Sequence, residues 1–243
     1  MADPTLLLIH GLGATSGVWH DVIEAVDWPG RVVAPDLAGH GSAEWTGDYT
    51  LGGLAAGVAQ HVDPGEDVVI VGHSLGGGVG LALASGIFRP DVRGVVALGV
   101  KVTWSDDDIA GMAGVAAKGV RWCETSDEAV QRYLRNSGLV GLVAPDHPSV
   151  TYAVVAGDAA AGESGWRVAQ DPMTFAQGKL DMAGLLGAAK CPTIVGAGAD
   201  DAMVSGADLR AYIEDARICE GAGHNVQVER PDWVIGLLRE ITN

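Results

Sequence analysis

Val71-Gly72-His73-Ser74-Leu75-Gly76-Gly77-Gly78 is the stretch that sets the fold of this chain. An apolar run, Asp67-Val68-Val69-Ile70-Val71, leads into it, with the composition of a short strand buried on both faces. A helical pattern of small and apolar residues, Val79-Gly80-Leu81-Ala82-Leu83-Ala84, leaves it and is expected to run to about Phe88. Strand, sharp turn and helix meet at Ser74, with Gly72 and Gly76 two residues to either side. G-x-S-x-G in that setting presents a serine hydroxyl at the tip of a strained turn. Such strain costs roughly 1–3 kcal/mol. Side chains at 72 and 76 would collide with the helix and the neighbouring strand.

Outward from this turn, short apolar strands alternate with helices. Thr5 to Ile9 reads as a first strand and ends at His10-Gly11-Leu12-Gly13. Trp19, Val22, Ile23 and Val26 have helical spacing, and Asp27-Trp28-Pro29-Gly30 stops that helix. Arg31 to Ala34 is a second strand, running into Pro35-Asp36-Leu37-Ala38-Gly39-His40-Gly41-Ser42. Residues 51–62 form a small-residue helix, and Val92 to Leu98 is a fourth strand. This alternation is the pattern of a parallel sheet covered on both faces. It stops between Lys101 and Ala189, where helical patterns appear over Asp107–Ala117, Ser126–Asn136, Ser149–Ala160 and Met173–Leu186. Trp104, Trp122 and Trp166 fall there. The strand pattern resumes at Thr193 to Ala197. A helix over Ala207–Glu214, a strand over Ala216 to Cys219 and a last helix bearing Trp233, Val234, Leu237 and Leu238 follow.

Composition bounds the partners. The chain has 243 residues and a formal net charge of −16, which argues against a nucleic-acid partner, since phosphate backbones need clustered Lys and Arg. Cys123, Cys191 and Cys219 fit no metal or disulfide spacing; Cys191 and Cys219 lie in or beside expected core strands and read as small hydrophobes, which fits a reducing compartment. No secretion signal or membrane span is expected, and the location is expected to be cytoplasmic.

Ser74 needs a base and oxyanion donors to act as a nucleophile. Of the seven histidines, His224, in Glu220-Gly221-Ala222-Gly223-His224-Asn225, follows a strand at the same sheet edge as the serine turn. His73 neighbours Ser74 but points the other way. His10 and His40 read as braces of glycine-rich loops, and His20, His61 and His147 as surface residues. The orienting acid is Asp201, with Asp200 as the alternative and Asp106–Asp108 behind it. Asp200 reads rather as a loop or capping residue. The Leu75 amide opens the helix after Ser74, and a second amide is expected from the first loop, at Leu12 with Gly11 or Gly13 in reserve. Gly11-Leu12-Gly13 is not a dinucleotide fingerprint, because position 16 is Ser where that motif needs Gly.

Taken together, His10-Gly11-Leu12-Gly13, Asp36-Leu37-Ala38-Gly39-His40-Gly41-Ser42, Gly72-His73-Ser74-Leu75-Gly76-Gly77, and Gly198-x-x-Asp201 with Gly221-Ala222-Gly223-His224 resemble the α/β-hydrolase superfamily. The order Ser, Asp, His is that family's order. The resemblance covers about residues 5–100 and 190–240. It implies a mostly parallel six-stranded sheet with helices on both faces, two strands shorter at its start than larger members. It also implies a core over 1–100 and 190–243 and a helical cap over 101–189. The family often has Pro soon after the acid, where this chain reads Ala202-Met203-Val204-Ser205. A Ser nucleophile sets the chain apart from the haloalkane dehalogenase and epoxide hydrolase branches. The implied activity is hydrolysis of an ester, thioester or lactone with a small to medium, largely apolar acyl group, without metal or organic cofactor. Carbon–carbon hydrolysis, lyase, perhydrolase or acyltransferase chemistry is the alternative on the same fold, and a non-catalytic ligand binder the third reading.

Overall fold

The computed structural model describes residues 3–242, so the ends of the expected core segments at 1–2 and 243 lie outside it. The strands are β1 (Thr5–Ile9), β2 (Val32–Val33), β3 (Asp67–His73), β4 (Asp91–Leu98), β5 (Val154–Ala156), β6 (Trp166–Val168), β7 (Thr193–Gly198) and β8 (Arg217–Cys219). The α-helices are α1 (His20–Ala25), α2 (Leu51–Val58), α3 (Leu75–Ala84), α4 (Asp106–Ala117), α5 (Ser126–Asn136), α6 (Met182–Ala188), α7 (Gly206–Tyr212), α8 (Val226–Glu229) and α9 (Pro231–Thr242).

Six strands form one sheet in the order β2-β1-β3-β4-β7-β8, and every pairing in it is parallel. Because side chains alternate across a strand, Leu7, Ile9, Ile70, Val95 and Ala97 enter the core beneath α2 and α3. Leu6, Leu8, Val71, Val96 and Leu98 enter a second core with Trp19 and the Val234, Leu237 and Leu238 face of α9. That two-sided burial is why these strands read as continuous apolar runs. Parallel pairing also puts the C-terminal ends of β1, β3, β4, β7 and β8 along one edge. Ile9 lies opposite Gly72, His73 opposite Leu98, and Gly198 opposite Cys219.

Between β4 and β7 the chain leaves the sheet. Ser105 and Asp108 form a reciprocal capping box that starts α4, and the Thr125 side chain caps α5. The helix expected over Ser149–Ala160 is not formed. A single 3-10 turn at Pro148–Val150 is followed by β5, which pairs antiparallel with β6. The β-branched Val150, Thr151, Val154 and Val155 favour strand over helix at this site. The helix expected over Met173–Leu186 is split into a 3-10 helix at Pro172–Gln177 and α6. Gly178 at φ 78° breaks it, and Asp181 caps the second part. α6 packs against α3 and places Met182 in the first core. All three cysteines are free thiols. Among the described residues no helix is long and apolar enough to cross a membrane.

Candidate active site

Ser74 stands between β3 and α3 with φ 51° and ψ −115°, a conformation few side chains adopt. The turn closes so tightly that a Cβ at Gly72 would lie 2.3 Å from the Gly76 carbonyl oxygen. One at Gly76 would lie 2.1 Å from that of Ile9. Both obstacles are backbone, so only glycine fits on either side of the serine. Ser74 N–H donates to the Leu98 carbonyl at 2.7 Å, tying the turn to the end of β4.

His224 and Asp201 arrive from the loops after β8 and β7. His224 Nδ1–H donates to Asp201 Oδ2 at 2.8 Å. The other carboxylate oxygen, Oδ1, accepts from Met203 N–H at 2.7 Å and Val204 N–H at 3.0 Å. Burial pushes the Asp201 carboxyl pKa up. The hydrogen bonds and charge of His224, with the two amides, outweigh it and hold the pKa below the ordinary value. Asp200 is exposed and only its backbone N–H is engaged, with Ala222. The two loops touch through their main chains, since a Cβ at Gly198 would sit 2.1 Å from the carbonyl oxygens of both Ala222 and Gly223.

Ser74 and His224 face one cavity of about 360 Å³. No hydrogen bond joins Ser74 Oγ to the imidazole here, and such contacts commonly tighten only with substrate bound. Leu12 and Leu75 border the same cavity. Leu12 N–H has no partner among the described residues, and Leu75 N–H lies in the first turn of α3, where no preceding carbonyl can accept it. Gly13 is removed from the reserve, because its N–H donates to His40 Nε2 at 3.2 Å.

Three buried histidines hold this machinery without touching Ser74 by hydrogen bond. His10 Nδ1–H donates to the Gly11 carbonyl at 2.8 Å, and its Nε2 accepts from Leu37 N–H at 2.9 Å. His40 Nδ1–H donates to the Ala38 carbonyl at 3.2 Å while its Nε2 accepts from Gly13. His73 Nε2–H donates to the His224 carbonyl at 2.8 Å, and its Nδ1 is buried without a partner among the described residues. Burial lowers all three pKa values, those of His40 and His73 to about 3, so each ring is neutral. The bracing roles expected of His10 and His40 match these bonds.

Sequence reasoning missed His73 as a support of the His224 backbone, and it missed Asn225. The Asn225 side chain is buried and donates to the carbonyls of Ser137 and Gly138, at 3.1 Å each, at the end of α5. It joins the loop of His224 to the inserted segment. A polar residue directly after His224 in a glycine-rich turn was its only signal. Asp36 was quoted only as part of a motif. Its Oδ1 accepts from Ser16 N–H at 2.7 Å and its Oδ2 from Ser42 N–H and Oγ at 2.8 Å each, which locks the second loop to the first.

Comparison with known proteins gives a consistent result. The chain is 32% identical over 154 residues to a pimeloyl-[acyl-carrier protein] methyl ester esterase of Neisseria meningitidis, a match that covers 57% of each chain. It is 43% identical over 86 residues to an uncharacterized Mycobacterium tuberculosis protein, covering 34% of this chain and 25% of that one. The chain thus spans from a quarter to somewhat over half the length of these two curated relatives. Among solved structures, E-2-(acetamidomethylene)succinate hydrolase superposes with a TM-score of 0.78 at 20% identity, covering 98% of this chain and 91% of that one. A thioesterase domain from the curacin biosynthetic pathway gives 0.75 at 18% identity, with coverage of 98% and 91%. A sequence model of the alpha/beta hydrolase family matches residues 6–237, nearly the whole chain, and the protein belongs to that family.

Proposed function

We propose that this protein is a serine hydrolase of carboxylic esters, thioesters or lactones that works through an acyl-enzyme. The observation that carries the reading is the convergence of four groups on one cavity. These are the strained Ser74, the His224 ring bonded to Asp201, and the residues Leu12 and Leu75, whose N–H groups have no partner among the described residues. The esterase and thioesterase names among its relatives support the same class.

The steps follow from the donors. With its Nδ1 proton held by the Asp201 carboxylate, His224 presents Nε2 as the base. It takes the Ser74 hydroxyl proton as Oγ attacks the carbonyl. The amides of Leu12 and Leu75 receive the developing oxyanion, and the end of α3 adds its positive dipole there. His224 then protonates the departing alcohol or thiol. A water, deprotonated by the same ring, releases the acid and restores Ser74. Asp201 stays ionised throughout, which its lowered pKa favours.

Residues 1–100 and 190–243 act as the catalytic core in this reading, and 101–189 as the cap over the acyl pocket. Leu12, Trp104, Met112, Phe175, Leu180 and Met203 give the cavity an apolar wall suited to a small or medium acyl chain. Labelling with a fluorophosphonate probe is the test. Wild type is expected to label and Ser74→Ala is not. Failure of wild type to label, or equal labelling of the variant, overturns the assignment.

A further inference from the structure

The cap carries a second cavity, of about 370 Å³, that shares Arg135, Asn136 and Phe175 with the cavity of Ser74. Lys118, Arg121, Arg132, Arg135 and Arg167 line it, and no carboxylate does. This is unexpected in a chain with 31 acidic and 15 basic residues, since a third of all its cations gather at one place. They come from three separate segments: the turn after α4, the last turns of α5, and β6. None of the five forms an ion pair among the described residues. Arg121, Arg132 and Arg135 also border a neighbouring depression that holds Glu124, Asp127 and Glu128, with Asp127 and Glu128 on the same face of α5 as Arg132 and Arg135, one to two turns nearer its start. Arg167 is held in place, with its guanidinium 4.4 Å from the Trp45 ring centroid and 5.9 Å from that of Trp122. Arg132 is anchored by a hydrogen bond from its Nη1 to the Arg121 carbonyl at 3.3 Å.

We propose that this cavity binds the phosphate-bearing part of an acyl ester or thioester substrate whose carbonyl lies at Ser74. The proposal rests on the hydrolase reading above and narrows its substrate class. Exposed single ion pairs contribute little. Several forked guanidinium groups around one multiply charged oxyanion give both affinity and orientation. Five cations exceed what one carboxylate can occupy and match a phosphate or diphosphate. Arg135 stands at the junction, so a ligand passing it places its charged end among the cations and its acyl end on the apolar wall.

Two measurements separate this proposal from the reading beneath it. In the first, Ser74→Ala protein is titrated calorimetrically with inorganic pyrophosphate and, separately, with glutarate. Binding of pyrophosphate that weakens in Lys118→Glu/Arg121→Glu supports the site whether or not Ser74 is the nucleophile. No binding, equal binding by the double variant, or preference for glutarate overturns it. In the second, octanoyl-CoA, octanoyl-4′-phosphopantetheine and octanoyl-pantetheine are compared by kcat/KM. The two phosphorylated substrates are expected to exceed the neutral one, and that ratio is expected to fall about 25-fold in Arg132→Gln/Arg167→Gln, about fivefold per side chain. A ratio near one in wild type overturns the proposal while leaving the hydrolase intact. An advantage confined to octanoyl-CoA assigns the contact to the nucleotide phosphates, and an equal advantage assigns it to the pantetheine phosphate. Absence of activity on all three and of fluorophosphonate labelling in wild type, with pyrophosphate still bound, removes the hydrolase reading and keeps the anion site.

Discussion

Replacing Asp201 by Asn changes one atom and reverses the chemistry of its neighbour. Oδ1 accepts from two main-chain amides, Met203 N–H and Val204 N–H, at 2.7 and 3.0 Å. An asparagine carbonyl keeps those bonds only by occupying the Oδ1 position, because an NH₂ group there would face two donors. Its NH₂ therefore faces His224 Nδ1, where the carboxylate accepted at 2.8 Å. To bond it, the ring must carry its proton on Nε2, and a protonated Nε2 cannot take the proton of Ser74. The expected loss is about 10³–10⁴-fold in kcat, or about 4–5.5 kcal/mol of transition-state stabilisation, with KM little changed. Nitrophenyl ester hydrolysis at pH 7.5 measures it. Asp200→Asn is the control and is expected within about twofold of wild type. Retention of more than a tenth of wild-type kcat by Asp201→Asn, or an equal loss in Asp200→Asn, refutes the reasoning. The same change has a signature in stability. The folded Asp201 pKa lies below its unfolded value. Its contribution is therefore complete above about pH 4 and lost as pH falls through the folded value. The stability gap between wild type and variant is expected to close on acidification over that range in urea titrations.

Ser74→Gly is expected to abolish activity yet raise the denaturation midpoint, by a gain of about 1 kcal/mol, because glycine adopts φ 51° without strain. Ser74→Ala keeps the strain and should show no such gain in the same urea titration. Gly198→Ala is expected to cost about 3 kcal/mol of stability and to lower kcat, since its Cβ meets two carbonyl oxygens at 2.1 Å and pushes the loops of Asp201 and His224 apart. A variant as stable and active as wild type would show that the backbone yields there. Stability is also expected to fall as pH drops below about 6.5, by up to about 1.4 kcal/mol per pH unit for each buried neutral histidine, because the unfolded chain binds protons that folded His10, His40 and His73 do not. Urea midpoints at pH 7.5, 6.0 and 5.0 check this, and a flat profile contradicts the neutral assignments.

The sheet was legible because its strands are short apolar runs buried on both faces, bounded by glycine and proline. β1 matches its expected range from Thr5 to Ile9, and β3 includes the run before Ser74. The placement of the candidate site was legible for a related reason: loops at one edge of a parallel sheet follow the ends of its strands, and Ser74, Asp201 and His224 each come soon after one. The inserted segment was less so. α5 was read from Ser126 to Asn136 because Thr125 caps it and its polar and apolar faces alternate at helical spacing. The run after Pro148 was misread, because its small and β-branched residues fit either period, and pairing between β5 and β6 decided the outcome. The basic cavity was invisible for another reason. Lys118, Arg132 and Arg167 are scattered in sequence, and the overall charge of −16 concealed a local excess of the opposite sign. Asn225 and His73 act through backbone carbonyls distant in the chain, and no local pattern reports such a bond.

Asn225 gives the protein a mechanical property that its chemistry alone does not require. Its amide group spans from the residue after His224 to the end of α5, whose Arg132 and Arg135 border the basic cavity. The end of α5 thus has a short, hydrogen-bonded path to the loop that carries the His224 imidazole. The two hydrogen bonds of that side chain fix the distance between the residue after His224 and the end of α5. Cutting this path with Asn225→Ala would remove both hydrogen bonds that fasten the end of α5 to the histidine loop.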